Sequence, residues 1–373
     1  MSVPFAYVRA QGSYREIGRQ IGEAARPQIE AAISYYREGF ERLAGIAFDE
    51  AEGRAEAYLA HARRRLPQLV EELEGMAEGS GQTLIALMVP NCGEEFTDAE
   101  ASGAAPDGER PRPRSCDRPA NDHCTAVAVA AGGRHVIGHN MDWYVVDIDK
   151  NVVFDVTVPD GTRFLSIAGV PYLPMLGLNS HGIGNVSNSV YSTDNKIGIP
   201  NAFVRRWSLE APTLEEARAR GLVAERARGT NHFLADTGGR LWDMETSGET
   251  SALMDFSERG YMAHTNHYAS PQMAPVEGSD YQESRTRLTR AETLLDRGLA
   301  RGEDPVELVA GVLRDHEFGL DAGICGHVPP DDPDPEIGVT VASMVCDLDN
   351  RRLYACAGPP CENGYRVFGM EMD

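Results

Sequence analysis

The chain is short of positive charge: 35 lysines and arginines face 57 aspartates and glutamates, a formal net charge of −22. Nucleic-acid recognition needs clustered cations that displace the counterions of phosphates, so a nucleic-acid partner is excluded. An anionic membrane surface would repel the chain for the same reason. No run of about 18 apolar residues occurs, as a membrane span would need, and the opening MSVPFAYVRAQGSYREIG lacks the basic-then-apolar order of a secretory leader. A cytoplasmic address is the expectation. Cysteines are few and odd in number: Cys92, Cys116, Cys124, Cys325, Cys346, Cys356 and Cys361 make a poor disulfide framework over 373 residues, and at least one free thiol is expected. Phosphate-cradle signatures are missing too. The Gly-rich GLNSHGIGNVSN has neither the lysine of a GxxxxGK[ST] loop nor the GxGxxG order, and no internal repeat is found.

What is present is enough sequence for a substantial core in one layered unit or two domains. From Tyr14 to about Gly79 the apolar pattern is helical: Ile17, Ile21, Ala25 and Ile29 recur every four residues, and Leu69, Leu73 and Met76 continue it. Pro27 and Pro67 mark first turns or breaks in this array. Residues 97–122, TDAEASGAAPDGERPRPRSCDRPAND, carry Pro, Gly, Ala and charge with no apolar period and read as a mobile surface segment open to cutting. Strands follow. CTAVAVA and HVIGHN flank AGGR, VVFDVTV and RFLSIAG flank PDGT, and HFLADT and LWDMET flank GGR, each as a hairpin. TLEEARARGLVAERA, SRTRLTRAETLLDRGLARG and DPVELVAGVLRD read as helices, and VTVASMVCDLDNRRLYACAG closes as a hairpin about LDNR. This order implies antiparallel sheet with segregated helices rather than a doubly wound parallel sheet.

The chemistry concentrates on Cys124, which heads the first strand directly after the mobile segment. A thiol with a reference pKa of about 8.5 needs a base or a nearby cation to act as a nucleophile. If the His123–Cys124 bond is cut, the new α-amine of Cys124 can take the thiol proton itself or through a water. The plainer alternative is a small buried residue starting a core strand. Asp142, in GHNMDWY at the far end of the paired strand, would return beside Cys124 and could hold the new ammonium. Asn266, in AHTNHYAS, offers an amide N–H to a tetrahedral oxyanion, or else only forms a turn. His264 and His267 with His181, His232 and Cys325 make a weak metal pattern, HTNHY being better explained by Asn266, so no metal and no cofactor is expected. Cys116 is followed by no strand, and the acidic PPDDPDPE reads as a solvated loop.

Seven segments in order, YREIGRQIGEAARPQI, ELEGMAEGSGQTLIALMVPNCGEEF, CTAVAVAAGGRHVIGHNMDW, GLNSHGIGNVSNSV, HTNHY, SRTRLTR and AGPPCENGYRVF, resemble the acyl-coenzyme A:6-aminopenicillanate acyltransferase family. Its members are autoproteolytic N-terminal nucleophile hydrolases, with bile salt and penicillin V acylases as distant relatives. The resemblance implies an α+β fold, a four-layer αββα sandwich. It also implies residues 1–123 as a helix-rich pro-segment or first subunit that stays bound after cleavage, and 124–373 as the catalytic subunit. Carried over, the nucleophile falls on Cys124, the amine-binding aspartate on Asp142 and the side-chain oxyanion donor on Asn266. A backbone N–H would come from GIGNVSN at Asn188, and an arginine near the nucleophile from Arg285, unless that residue belongs to a solvated helix face.

The chain departs from these relatives in three places. His123 stands where a glycine usually precedes the nucleophile, Ala126 replaces a Ser or Thr, and His139 replaces the arginine that opens the RNxDW motif in distant acylases. Self-cleavage is therefore expected to be slow, or absent in some preparations. The expected activity is that of an amidohydrolase or acyltransferase working through a thioester on a small-molecule amide: an N-acyl amine, an N-acyl amino acid or a β-lactam side chain. The alternative is a non-catalytic ligand-binding protein that keeps the fold without processing. Homo-oligomerisation is left open.

Overall fold

The helical array begins where local chemistry starts it. In the computed structural model, which describes residues 5–97, 124–278, 282–319, 323–327 and 338–370, β1 (Ala6–Gln11) leads into α1 (Tyr14–Ala24). Ser13 caps α1 reciprocally: its hydroxyl accepts from the Glu16 N–H, while the Glu16 carboxylate accepts from the Ser13 N–H at 2.8 Å. The helices α2 (Arg26–Ala44), α3 (Phe48–Arg65), α4 (Pro67–Ser80), α5 (Leu84–Asn91) and α6 (Gly93–Thr97) follow. Pro27 and Pro67 occupy the first turns of α2 and α4, where no N–H is needed for the ladder, and the left-handed Gly45 and Gly81 end the same two helices.

Beyond residue 123 the chain forms β2 (Thr125–Ala131), β3 (Arg134–Tyr144), β4 (Asn151–Thr157), β5 (Arg163–Gly169), β6 (Gly177–Asn179) and β7 (Ile183–Val186). Then come α7 (Asn201–Leu209), α8 (Leu214–Gly221), β8 (Thr230–Asp236), β9 (Leu241–Thr246), β10 (Ser251–Asp255) and β11 (Tyr261–His264). The last elements are α9 (Gln282–Ala300), α10 (Pro305–Leu313), β12 (Gly338–Asp347), β13 (Arg352–Ala357) and β14 (Arg366–Gly369). Among the described residues the strands make two sheets, one in the order β1-β4-β5-β6-β7-β8-β9-β10 and one in the order β11-β2-β3-β12-β13-β14. All pairings are antiparallel except β1 with β4.

Alternation along the strands defines the layers. Val152, Phe154 and Val156 of β4 pack with α1 to α5 in one core, whereas Val153 faces Ala126 and Ala128 of β2 across the space between the sheets. On the other side Val127 and Val129 of β2 meet Leu295 of α9 and Val309 of α10. Helix, sheet, sheet, helix: both central sheets are covered on both faces, the four-layer αββα sandwich of an α+β protein. No helix among the described residues is long and apolar enough to cross a membrane. Six cysteines there are free.

Some elements differ from the sequence reading. The TLEEARARGLVAERA helix stops at Gly221 as α8. The strand β1, the short β6 and β7, and α7 were not expected, because three or four residues carry no period and β1 exists only by pairing with β4. Residues 98–123, including His123 and Cys116, and the acidic 329–336 lie outside the described residues.

The tightest packing joins α1 to α4. A Cβ added to Gly18 would sit 1.7 Å from the Glu72 carbonyl oxygen, and one added to Gly75 would sit 2.0 Å from that of Arg15, so backbone touches backbone. Gly53, mid-way along α3, has open space around it. Gly75→Ala should therefore cost about 1–3 kcal/mol by overpacking, whereas Gly53→Ala should stabilise by about 0.5–1 kcal/mol through chain entropy. Denaturant unfolding of both variants checks this, and shifts of the same sign would contradict the crossing.

Candidate active site

Strand register gathers the site. Thr125 pairs with Asn140, so Asp142 returns beside Cys124, whose Sγ lies 3.9 Å from the Asp142 carbonyl oxygen. On the other flank His264 pairs with Ala126, which brings Asn266 level with Cys124. The pairing of β3 with β12 slips by one residue between Thr340 and Ala342, and such a bulge re-aims the local chain. Thr340 Oγ1 then donates to Asp142 Oδ1 at 2.7 Å, and Val341 is left facing the cavity.

Cys124, Asp142 and Asn266 line one cavity with about 770 Å³ of unfilled space, continuous with solvent. Its apolar wall is built from Met141, Trp143, Tyr172, Met175, Leu176 and Val341, and its polar end adds Glu94, His139, Ser187, Ser189 and Arg205. Asn266 is held on three sides. Its N–H donates to Ser284 Oγ at 2.7 Å, its Nδ2 to the Ser189 carbonyl at 3.0 Å, and its Oδ1 accepts from Arg287 Nη2 at 2.9 Å. The last bond fixes which end of the amide faces the cavity.

That arginine corrects an expectation. Arg285 sits on the outer side of α9 with 40% of its side chain exposed, 3.6 Å from Glu277, and does not line the cavity. Arg287 is fully buried. Two residues along a helix turn about 200°, so the two arginines face opposite ways. The buried face reads Ser284, Arg287, Ala291, Leu295, Gly298, and a helical wheel anchored on Ala291 and Leu295 would have chosen Arg287. Burial pushes its guanidinium down to about 10, although the charges of Asp142 and Cys124 draw it up. Asn188 is fully buried, and its carbonyl accepts from the Asn231 N–H at 3.0 Å; the cavity wall is made by its neighbours Ser187 and Ser189.

His264 and His267 are bound by protein partners, Glu245 Oε1 at 3.0 Å and Ser284 Oγ at 2.8 Å. Glu94, which nothing in the NCGEEF segment marks as a site residue, reaches the cavity from α6. Arg205 grips it twice, at 2.8 and 3.0 Å, Arg228 lies 3.3 Å away, and the Ser189 hydroxyl donates to it at 2.8 Å. Burial raises its pKa, but the two guanidiniums outweigh this and hold it down at about 2. Asp147 goes the other way, pushed up to about 6 by burial against the opposing charge of Lys150.

A family model, acyl-coenzyme A:6-aminopenicillanic acid acyl-transferase, matches residues 129–360, well over half of the sequence. The chain belongs to this family. Its match begins just past Cys124 and takes in Asp142, Asn266 and Arg287. The fold is also similar to penicillin V acylase from Agrobacterium tumefaciens, at 16% identity and a TM-score of 0.47, over 66% of this chain and 86% of that one. A mutant of conjugated bile acid hydrolase from Clostridium perfringens gives 14% identity and a TM-score of 0.47, over 67% and 93%. No curated protein matches the chain. As a member of the acyl-transferase family the protein is an enzyme, an amide-acting hydrolase or an N-acyltransferase.

In this family member His139 lies buried in the cavity wall. Burial first, then the charge of Arg205, push its pKa down to about 3, and the Ser187 backbone offsets only part of this. The imidazole is therefore neutral throughout the working range. A folded pKa below the unfolded value of about 6.5 means that the unfolded chain takes up a proton the folded chain refuses. The stability contribution is whole above about pH 6.5 and is lost as pH falls toward 3. His139→Gln should keep the acid limb of kcat/KM in place and lessen the fall in denaturation midpoint between about pH 6.5 and 4. An acid limb that vanishes in the variant would show that His139 titrates during turnover.

Proposed function

We propose that the chain is an N-terminal cysteine amidohydrolase or acyltransferase, activated by its own cleavage between His123 and Cys124. The observation that carries this reading is the register. Two pairings, β2 with β3 and β2 with β11, bring Cys124, Asp142 and Asn266 to one end of one sheet at the mouth of one cavity.

In the processing step the Cys124 thiol adds to the His123 carbonyl, the peptide C–N bond breaks as the nitrogen takes up the thiol proton, and water hydrolyses the resulting thioester. The products are a carboxylate on His123 and a free α-amine on Cys124. In catalysis that amine takes the thiol proton, the sulfur attacks the substrate carbonyl, and the oxyanion accepts from Asn266 Nδ2–H and from a backbone N–H of the 187–189 segment. The tetrahedral species collapses, the substrate amine leaves with the proton, and a thioester remains on Cys124. Water then gives the free acid, or a second amine gives a new amide if water is kept out long enough. Asp142, steadied by Thr340, holds the ammonium form of the α-amine. Arg287 positions Asn266.

The substrate is a small amide whose acyl group is apolar, because Met141, Trp143, Tyr172 and Met175 offer aromatic and flexible thioether surface beside the nucleophile. Residues 1–123 remain as a bound subunit after cleavage. Support comes from the core shared by α1 to α5 with β4 and β5, from the pairing of β1 with β4, and from Glu94 in the cavity wall.

Screening N-acyl amines, N-acyl amino acids, β-lactams and dipeptide-like amides, with and without an added amine acceptor, identifies the substrate. On it, Asn266→Ala should lower kcat by roughly 10²–10³-fold, the usual loss for one oxyanion donor, and Arg285→Ala should leave kcat near wild type. An unchanged kcat for Asn266→Ala would refute the assignment.

A further inference from the structure

Away from the cavity, three short segments outside the helices and strands bring a second group of reactive side chains together. His316 follows α10, His327 lies in the short segment 323–327 ahead of β12, and Cys361 lies on the turn between β13 and β14. One ligating atom from each, two imidazole nitrogens and a thiol sulfur, lies within 4.8 Å of the other two. The thiol of Cys361 is 3.1 Å from His327 Nε2, and the two imidazole rings are 5.4 Å apart at 82°. None of the three lines the cavity.

Each imidazole has its other nitrogen engaged by an acceptor. His327 Nδ1 lies 3.2 Å from Glu362 Oε1, and His316 Nδ1 lies 3.1 Å from the Arg314 carbonyl. Nδ1 carries the proton in both rings when it donates to those oxygens, and Nε2 is left with its electron pair. A carboxylate or carbonyl behind each imidazole is the usual support of a metal-ligating histidine, fixing the tautomer and raising basicity. Cys325, buried next to Ile324, is in hydrogen-bond contact with Cys361 and keeps its proton in that bond.

We propose that His316, His327 and Cys361 bind a zinc-like divalent cation. Two imidazoles and a thiolate are soft enough to select zinc or its neighbours over magnesium and calcium. Bond lengths of about 2.0–2.3 Å place tetrahedral ligands roughly 3.5 Å apart, so side-chain movements of about 1 Å close the three atoms onto an ion. Cys361 gives up its proton to solvent on binding, and the thiolate balances half of the cation's charge.

The site is structural and stands whatever the chemistry at Cys124. Gly326, between Cys325 and His327, donates from its N–H to Thr340 Oγ1 at 2.9 Å, and that hydroxyl in turn donates to Asp142. A cation held by His327 braces the short segment on which the partner of Asp142 leans.

The test uses the full chain with Cys124→Ala, which removes the cavity thiol as a competing ligand. After chelator treatment, titration against a chromophoric chelator should show one equivalent of zinc bound. Cobalt should give a thiolate-to-metal charge-transfer band that is lost in Cys361→Ala. Glu362→Gln changes a carboxylate that is 66% exposed and so keeps the fold; it should weaken zinc binding by about 10–100-fold. Bound zinc should also slow alkylation of Cys361, read by mass spectrometry of its peptide. Less than one equivalent bound, a cobalt band that survives Cys361→Ala, or alkylation of Cys361 indifferent to zinc would each overturn the proposal.

Discussion

A negative charge buried between two positive ones holds the two sides of the molecule together. Glu94 comes from the first helical segment, Arg205 and Arg228 from beyond Cys124; Glu94 and Arg205 line the cavity, and Arg228 reaches the same carboxylate at 3.3 Å. Removing one member of such a group costs about 3–5 kcal/mol because it strands the others in low dielectric. The geometry is therefore enforced even if the covalent link between residues 97 and 124 is lost. Deeper in, the device is inverted, a cation between two anions: Arg206 meets Glu72 of α4 at 2.9 Å and also reaches Glu210. Around Glu94 the charges sort by environment: the neighbouring Glu95, desolvated and only partly offset by Arg228, is pushed up to about 7, while Glu94 stays ionised.

This arrangement sets the character of the cavity. Its lining cation, Arg205, is committed to Glu94, and the buried Arg287 behind Asn266 donates one bond to the amide oxygen. His139 is held neutral. What remains close to Cys124 is the Asp142 carboxylate, an amide donor and an apolar wall. Those suit an amine that must be kept beside a thiol and an oxyanion that must be stabilised, with charge supplied by fixed groups that need not reorganise during the reaction.

Much of this was legible in the sequence where local physics decides. Four-residue spacing of Ile17, Ile21, Ala25 and Ile29 marks one helix face and its continuation, and AGGR between two alternating runs marks the β2–β3 hairpin. From the hairpin alone Asp142 must return to Cys124. Where partners are remote the signal disappears. β1 is a strand only because β4, some 140 residues later, offers it an edge. Arg287 lost to Arg285 because a motif match ignores which face of the helix is buried. Glu94 carries no local mark at all, since its role depends on two arginines more than 100 residues away. The same holds for His316, His327 and Cys361, which no spacing rule would group.

The central claim is that Cys124 becomes a chain terminus and acts from there. Intact mass and N-terminal sequencing of the purified wild-type protein and of Cys124→Ala test it most directly. The wild type should yield pieces of 123 and 250 residues, the larger beginning Cys-Thr-Ala-Val, while Cys124→Ala should remain one inactive chain of 373. A wild-type chain that stays uncut with full amidase activity, or that is cut to a different first residue, would contradict the account.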